Sequence, residues 1–114
     1  MADHPITVTP SPGRLRVVWR GRVVADSARA LILREASHPP VCYVPREDAE
    51  MRLFQRTERK THCPHKGDAN YFTLVDGDAR DENAVWTYER PFAPVAAIAG
   101  HLAFYPDRVE FKDQ

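Results

Sequence analysis

Two stretches decide the fold: Gly67-Asp68-Ala69-Asn70-Tyr71-Phe72-Thr73-Leu74-Val75 and, downstream, Asn83-Ala84-Val85-Trp86-Thr87-Tyr88-Glu89-Arg90. Apolar residues in both alternate with a period of two, the period at which side chains leave a β-strand on opposite faces. One face of the first carries Ala69, Tyr71 and Thr73, and the other carries Phe72 and Leu74. The second places Ala84, Trp86 and Tyr88 together. Asp76-Gly77-Asp78 between them is a hairpin signal, with a loop to Asn83 longer than a tight turn.

The same period extends outward. Residues 14–20 place Leu15, Val17 and Trp19 opposite Arg14, Arg16 and Arg20, Gly21 marks a turn, and 23–25 continue as a strand. Leu31, Leu33 and Glu35 share one face of 29–35; His38-Pro39-Pro40 breaks the chain before a short strand over 41–44. Residues 45–48 read as one helical turn and 51–56 as a strand. Residues 92–99 alone read as a helix, with Gly100 as its cap. Strands over 102–105 and 109–111 flank a Pro106-Asp107 turn. The expectation is a mainly β, antiparallel fold, either a two-sheet arrangement or a partly open barrel, with one short helix near 92–99.

Composition narrows the function. The 114 residues carry 16 Lys+Arg against 16 Asp+Glu, with an isoelectric point near 7.0. A balanced charge leaves no basic footprint for nucleic acid or an anionic membrane, and the apolar runs are too short for a membrane span of ~20 residues. No nucleic-acid or membrane partner is therefore expected. Residues 1–12 are polar and proline-rich, without the basic-then-apolar order of a secretory signal. They read as a flexible lead before a single domain over 13–114, in the cytoplasm. Cys42 and Cys63 are too few for a disulfide framework and form no Cys-x-x-Cys pair.

The densest chemical group is Thr61-His62-Cys63-Pro64-His65-Lys66-Gly67, expected in a loop between two strands. Cys63 is a candidate nucleophile, because Lys66 and His65 are cations or near-cations able to favour a thiolate; a buried, inert cysteine in a proline-kinked turn is the plainer account. Cysteine and histidine could also ligate zinc, but paired ligands at a recognisable spacing are missing, so no metal and no cofactor are expected. The aromatic rows led by Tyr71, by Trp86 with Tyr88, and by Ala103 with Tyr105 set small residues beside large ones, which leaves concave room for a small molecule; a filled core is the alternative. Glu35 ends a strand on its buried face, where a carboxylate needs a partner such as Lys66 or Arg46. A solvated strand end is the simpler account of Glu35, since long charged side chains are rarely buried.

Thr61-x-Cys63-Pro64-His65-Lys66-Gly67-x-Ala69-x-Tyr71 resembles the signature of a widespread bacterial family, domain of unknown function family 427. Val24-Ala25-Asp26-Ser27, Glu35, Tyr43-x-Pro45, Ala84-x-Trp86-x-Tyr88 and Gly100-x-x-Ala103-Phe104-Tyr105 follow the family pattern in order. The sequence departs at His65, where relatives commonly carry tyrosine. The family is sometimes labelled nucleotidyltransferase-like, yet no paired aspartates follow a Gly-Ser turn here. The resemblance implies a β-tent (Mss4-like) fold with a concave aromatic face between two sheets; the paired Cys-x-x-Cys zinc ligands common in that fold are missing from this chain.

Together these readings point to a small-molecule pocket walled by Tyr71, Trp86 and Tyr88, anchored by Glu35, Tyr43, His65 and Lys66, with Cys63 at its rim. A thiol-dependent enzyme using Cys63 is the first alternative. The second is an interaction protein that pairs through edge strands, including as a homo-oligomer.

Overall fold

Ten strands sort into three antiparallel sheets in the computed structural model, which describes residues 5–113. In chain order they are β1 (Ile6–Pro10), β2 (Leu15–Trp19), β3 (Arg22–Ser27), β4 (Leu31–Glu35), β5 (Val41–Tyr43), β6 (Phe54–Cys63), β7 (Gly67–Asp76), β8 (Ala79–Thr87), β9 (Leu102–Phe104) and β10 (Glu110–Asp113). The sheets run β1-β4-β5, β10-β2-β3 and β6-β7-β8-β9. The mainly β, antiparallel class read from the alternation is the observed one.

Two of the sheets meet along a seam. Val44 and Leu102 exchange backbone hydrogen bonds of 2.8 Å in each direction, tying the end of β5 to β9. The first sheet therefore continues the four-stranded sheet and folds over one of its faces. The remaining sheet, β10-β2-β3, covers the opposite face.

Alternation along β7, β8 and β9 builds a core on each side. Phe72, Leu74, Val85, Leu102 and Phe104 pack with Leu15, Val17, Trp19 and Val24 of β2 and β3. Trp19 is 1% exposed, and its indole N–H donates to Asp81 Oδ2 at 2.6 Å, so the ring is buried without an orphaned donor. The other face gives Ala69, Tyr71, Tyr88 and Ala103 to a second core with Leu33, Tyr43, Val95 and Ile98. Ala84 leaves the row expected for it and joins the first core. The β7–β8 register shifts between Phe72 and Leu74, and Thr73 Oγ1 accepts the Asn83 amide at 3.1 Å beside that shift. Such an irregularity rotates the local alternation.

Other expectations change in detail. Ile6–Pro10, placed in the flexible lead, is an edge strand with Val8 opposite Leu33. Residues 1–4 of that lead lie outside the described ones. The hairpin turn is tight, with Asp76 opposite Ala79, so β8 begins before Asn83. Thr61-His62-Cys63 is strand rather than loop, because β6 runs on to Cys63. The residues expected as a helix form 3-10 turns over Ala93–Ile98, broken at Val95, whose backbone is non-helical. Pro91, Pro94 and Gly100 leave too short a run for a nucleated α-helix.

Candidate functional site

The site begins with the turn that joins β6 to β7. The Lys66 amide donates to Cys63 O at 3.2 Å, closing Cys63-Pro64-His65-Lys66 as a β-turn. The Phe92 amide donates to Lys66 O at 2.9 Å, pinning the turn to the segment after β8. Gly67 follows with φ +116°, where a Cβ would stand 3.5 Å from Arg90 O. With its backbone held on both sides, Lys66 sends its side chain inward and across to the overlying sheet.

There the Lys66 ammonium pairs with Glu35 Oε1 at the end of β4. The side chains are only 11% and 13% exposed, so this pair is largely out of water. A solvated strand end does not describe Glu35. Its alternation with Leu33 turns the carboxylate inward, and Lys66 supplies the countercharge. Arg46, the other expected partner, instead reaches Glu89 at 3.2 Å and Thr87 at 3.3 Å.

Around the pair lies a cavity of about 210 Å³. Glu35, Tyr43, Lys66, Tyr71, Trp86 and Tyr88 all line it, so six of the expected site residues converge. Register explains the convergence: Tyr71 stands opposite Trp86 and Trp86 opposite Ala103, one row across three strands. Tyr105, Leu33 and Val41 complete the wall. All four tyrosines of the chain thus border one hollow. Tyr105 lies in the third aromatic row and is not among the expected site residues. Leu33 and Val41 carried only an apolar signal, which does not separate a pocket wall from a core.

His65 and Cys63 do not line the cavity. His65 is exposed at the tip of the turn, because the turn that buries Lys66 projects the residue before it outward. Cys63 is half-buried at the end of β6 and packs against the second core. Lys66, expected to favour a thiolate at Cys63, is committed to Glu35. Among the described residues no three His, Cys, Asp or Glu side chains cluster as a metal site.

The aromatic groups are held in specific contacts. Trp86 Nε1 donates to the Tyr43 hydroxyl at 3.3 Å, with the rings edge to face. Trp86 and Tyr105 pack with centroids 4.6 Å apart. Burial pushes the Tyr43 hydroxyl up to about 12, and the Tyr88 hydroxyl is raised chiefly by burial as well. Burial also acts upward on Tyr71, but hydrogen bonds with Thr61, Tyr105 and Arg59 outweigh it and hold that phenol below its usual value. Thr61 Oγ1 lies 2.9 Å from the Tyr71 hydroxyl, and the Arg59 guanidinium sits 4.9 Å from the ring centroid. Tyr88 differs: it is 6% exposed, and its hydroxyl has no hydrogen-bond partner among the described residues.

Other hollows also open on the surface. A groove of about 970 Å³ runs beside Arg56, Lys60, His62 and Asp68, where Arg56 pairs with Glu89 at 2.6 Å and His62 Nδ1 lies 2.7 Å from Asp68 Oδ1. An apolar cleft of about 620 Å³ adjoins the tyrosine cavity. No helix among the described residues is long and apolar enough to cross a membrane.

Fold and site define a small antiparallel β domain with an aromatic cavity around a buried lysine–glutamate pair. The chain belongs to the family described as domain of unknown function (DUF427), which matches residues 7–113. No curated protein matches the chain.

Proposed function

We propose that this protein binds a small organic molecule in the tyrosine cavity. The observation that carries the reading is the convergence of four tyrosines and Trp86 on the largely buried Lys66–Glu35 pair. Aromatic walls with a few fixed polar groups are the usual build of a ligand site. A core made for stability alone gains little from a buried ion pair, since well-packed apolar residues serve as well or better.

The same reading takes the two sheets joined along the Val44–Leu102 seam as a β-tent, with the aromatic face inside, and places the protein in a bacterial cytoplasm. The free thiols of Cys42 and Cys63 are in keeping with a reducing compartment.

The test is a thermal-shift screen of common metabolites on the wild-type protein and on Trp86→Ala. A hit that raises the wild-type midpoint should lose its effect in the variant, while the variant's circular dichroism stays that of the folded protein. Hits that act equally on both proteins, or no hit from a broad library, would count against the cavity as a binding site.

A further inference from the structure

The tyrosine cavity and the apolar cleft beside it share four wall residues: Leu33, Glu35, Val41 and Trp86. They are neighbouring lobes with a common wall, and their chemistry differs. The cleft is bordered by Leu15, Phe104, Pro106 and Phe111, and Phe111 is 40% exposed. The smaller lobe holds the Lys66–Glu35 pair and the unpartnered Tyr88 hydroxyl. We propose that the site takes an uncharged amphipathic ligand, with a carbonyl head accepting from Tyr88 and Lys66 in the tyrosine lobe and an apolar body covering Phe111 in the cleft. This rests on the cavity being a binding site and adds the class of ligand.

Charge selects the head. Lys66 and Glu35 neutralise each other in a place largely removed from water. An anionic head would have to sit beside the Glu35 carboxylate, and a cationic one beside the Lys66 ammonium. Either would leave a charge poorly compensated in surroundings where that is costly. A neutral carbonyl asks for donors only, and the lobe offers them. The Tyr88 phenol, held protonated by burial, is a hydroxyl donor without an acceptor. Its hydroxyl stands at the cavity wall without a protein partner, so an acceptor that enters the lobe gains a hydrogen bond there. The body follows from area. Exposed aromatic surface at the mouth of an apolar cleft is covered with profit by any hydrocarbon or ring that reaches it.

The probes are 4-phenylbutanamide, 4-phenylbutanoate, 4-phenylbutylamine and butanamide, titrated into the full chain by calorimetry at neutral pH. The first three share a body and differ in the charge of the head; the fourth keeps the amide and drops the ring. Phenylbutanamide should bind at least tenfold more tightly than the acid, the amine or butanamide. Tyr88→Phe should weaken the amide about tenfold and leave the unfolding midpoint of the free protein unchanged, because the hydroxyl makes no hydrogen bond within the fold. Phe111→Ser should weaken phenylbutanamide and leave butanamide unaffected.

The head-group assignment is overturned if the acid or the amine binds as tightly as the amide, if Tyr88→Phe has no effect, or if none of the four binds. Loss of acid or amine binding in Trp86→Ala would then leave the cavity standing as a site for another class of molecule. Amide binding that Trp86→Ala does not disturb would overturn the cavity reading itself.

Discussion

Replacing Lys66 by methionine isolates what the ion pair does. Methionine keeps most of the aliphatic length, so the packing change is small, and the loss is that of the charge. At an exposed site removal of a salt-bridge partner costs about 0–1 kcal/mol. Here the side chains are 11% and 13% exposed, and breaking a largely buried pair from one side costs about 3–5 kcal/mol. With a urea m-value on the order of 2 kcal/mol/M for a small domain, the midpoint should fall by about 2 M. Replacing both partners, Lys66→Met with Glu35→Met, removes both desolvated charges and should recover most of that loss. Urea unfolding followed by tryptophan fluorescence measures all three variants, and their double-mutant cycle gives the coupling. A single-variant cost below about 1 kcal/mol would refute the reasoning, since it would mean that water screens the pair as it does at a surface.

Alkaline pH should destabilise the fold through the same cavity. Tyr43 is raised to about 12 and Tyr88 is raised too, whereas a tyrosine in the unfolded chain ionises near 10. Their contribution is intact below pH 10 and is lost as pH climbs from 10 towards 12, at about 1.4 kcal/mol per pH unit for each. Tyr71, lowered, completes its effect below pH 10 and adds no slope above it. Denaturant midpoints between pH 9 and 11.5 should fall beyond 10 and fall less steeply in Tyr43→Phe; a flat profile contradicts the burial. Gly67→Ala puts a side chain at φ +116° against Arg90 O and should cost about 1–3 kcal/mol, read as a lower thermal midpoint, whereas an unchanged midpoint would show that the turn can relax.

Strand periodicity carried most of the fold, and the failures share a cause. Where a strand meets a core with regular pairing, as with Tyr71 and Phe72 in β7, alternation is visible and the faces sort correctly; Ala84 is misplaced because it lies beyond the register shift. β6 runs from Phe54 to Cys63 at the open edge of its sheet, with Arg56, Glu58, Arg59 and Lys60 in solvent. No apolar face marks it, so only its pairing with β7 makes it a strand; its charges also discourage another chain from adding there. β1 was hidden for a related reason. Its short polar run between prolines becomes a strand because β4 stands beside it, Val8 facing Leu33.

The site was legible to the extent that it lies in aromatic rows, and it was obscured where sequence neighbours part company. Lys66 and His65 are adjacent, yet one turn buries the first and exposes the second. Composition cannot separate them; the backbone bonds from Lys66 to Cys63 and Phe92 do. Glu35 is the converse case, a residue whose burial is settled by a partner 31 positions away.

That partnership also fixes the shape of the cavity. Backbone hydrogen bonds at Val44–Leu102 hold the two sheets together along one seam, and the Lys66–Glu35 pair ties them again across the hollow. Aromatic rings stacked against flexible walls would collapse onto one another and fill the space between them, as ordinary cores do. These ties, with the Trp86–Tyr43 hydrogen bond between them, hold the sheets at a set distance, so the rings of Tyr71, Trp86 and Tyr88 line a gap instead of closing it. Loss of the pair should therefore alter the cavity as well as the stability. In the Lys66→Met variant the Trp86–Tyr43 contact is the place where that change in spacing has to be absorbed.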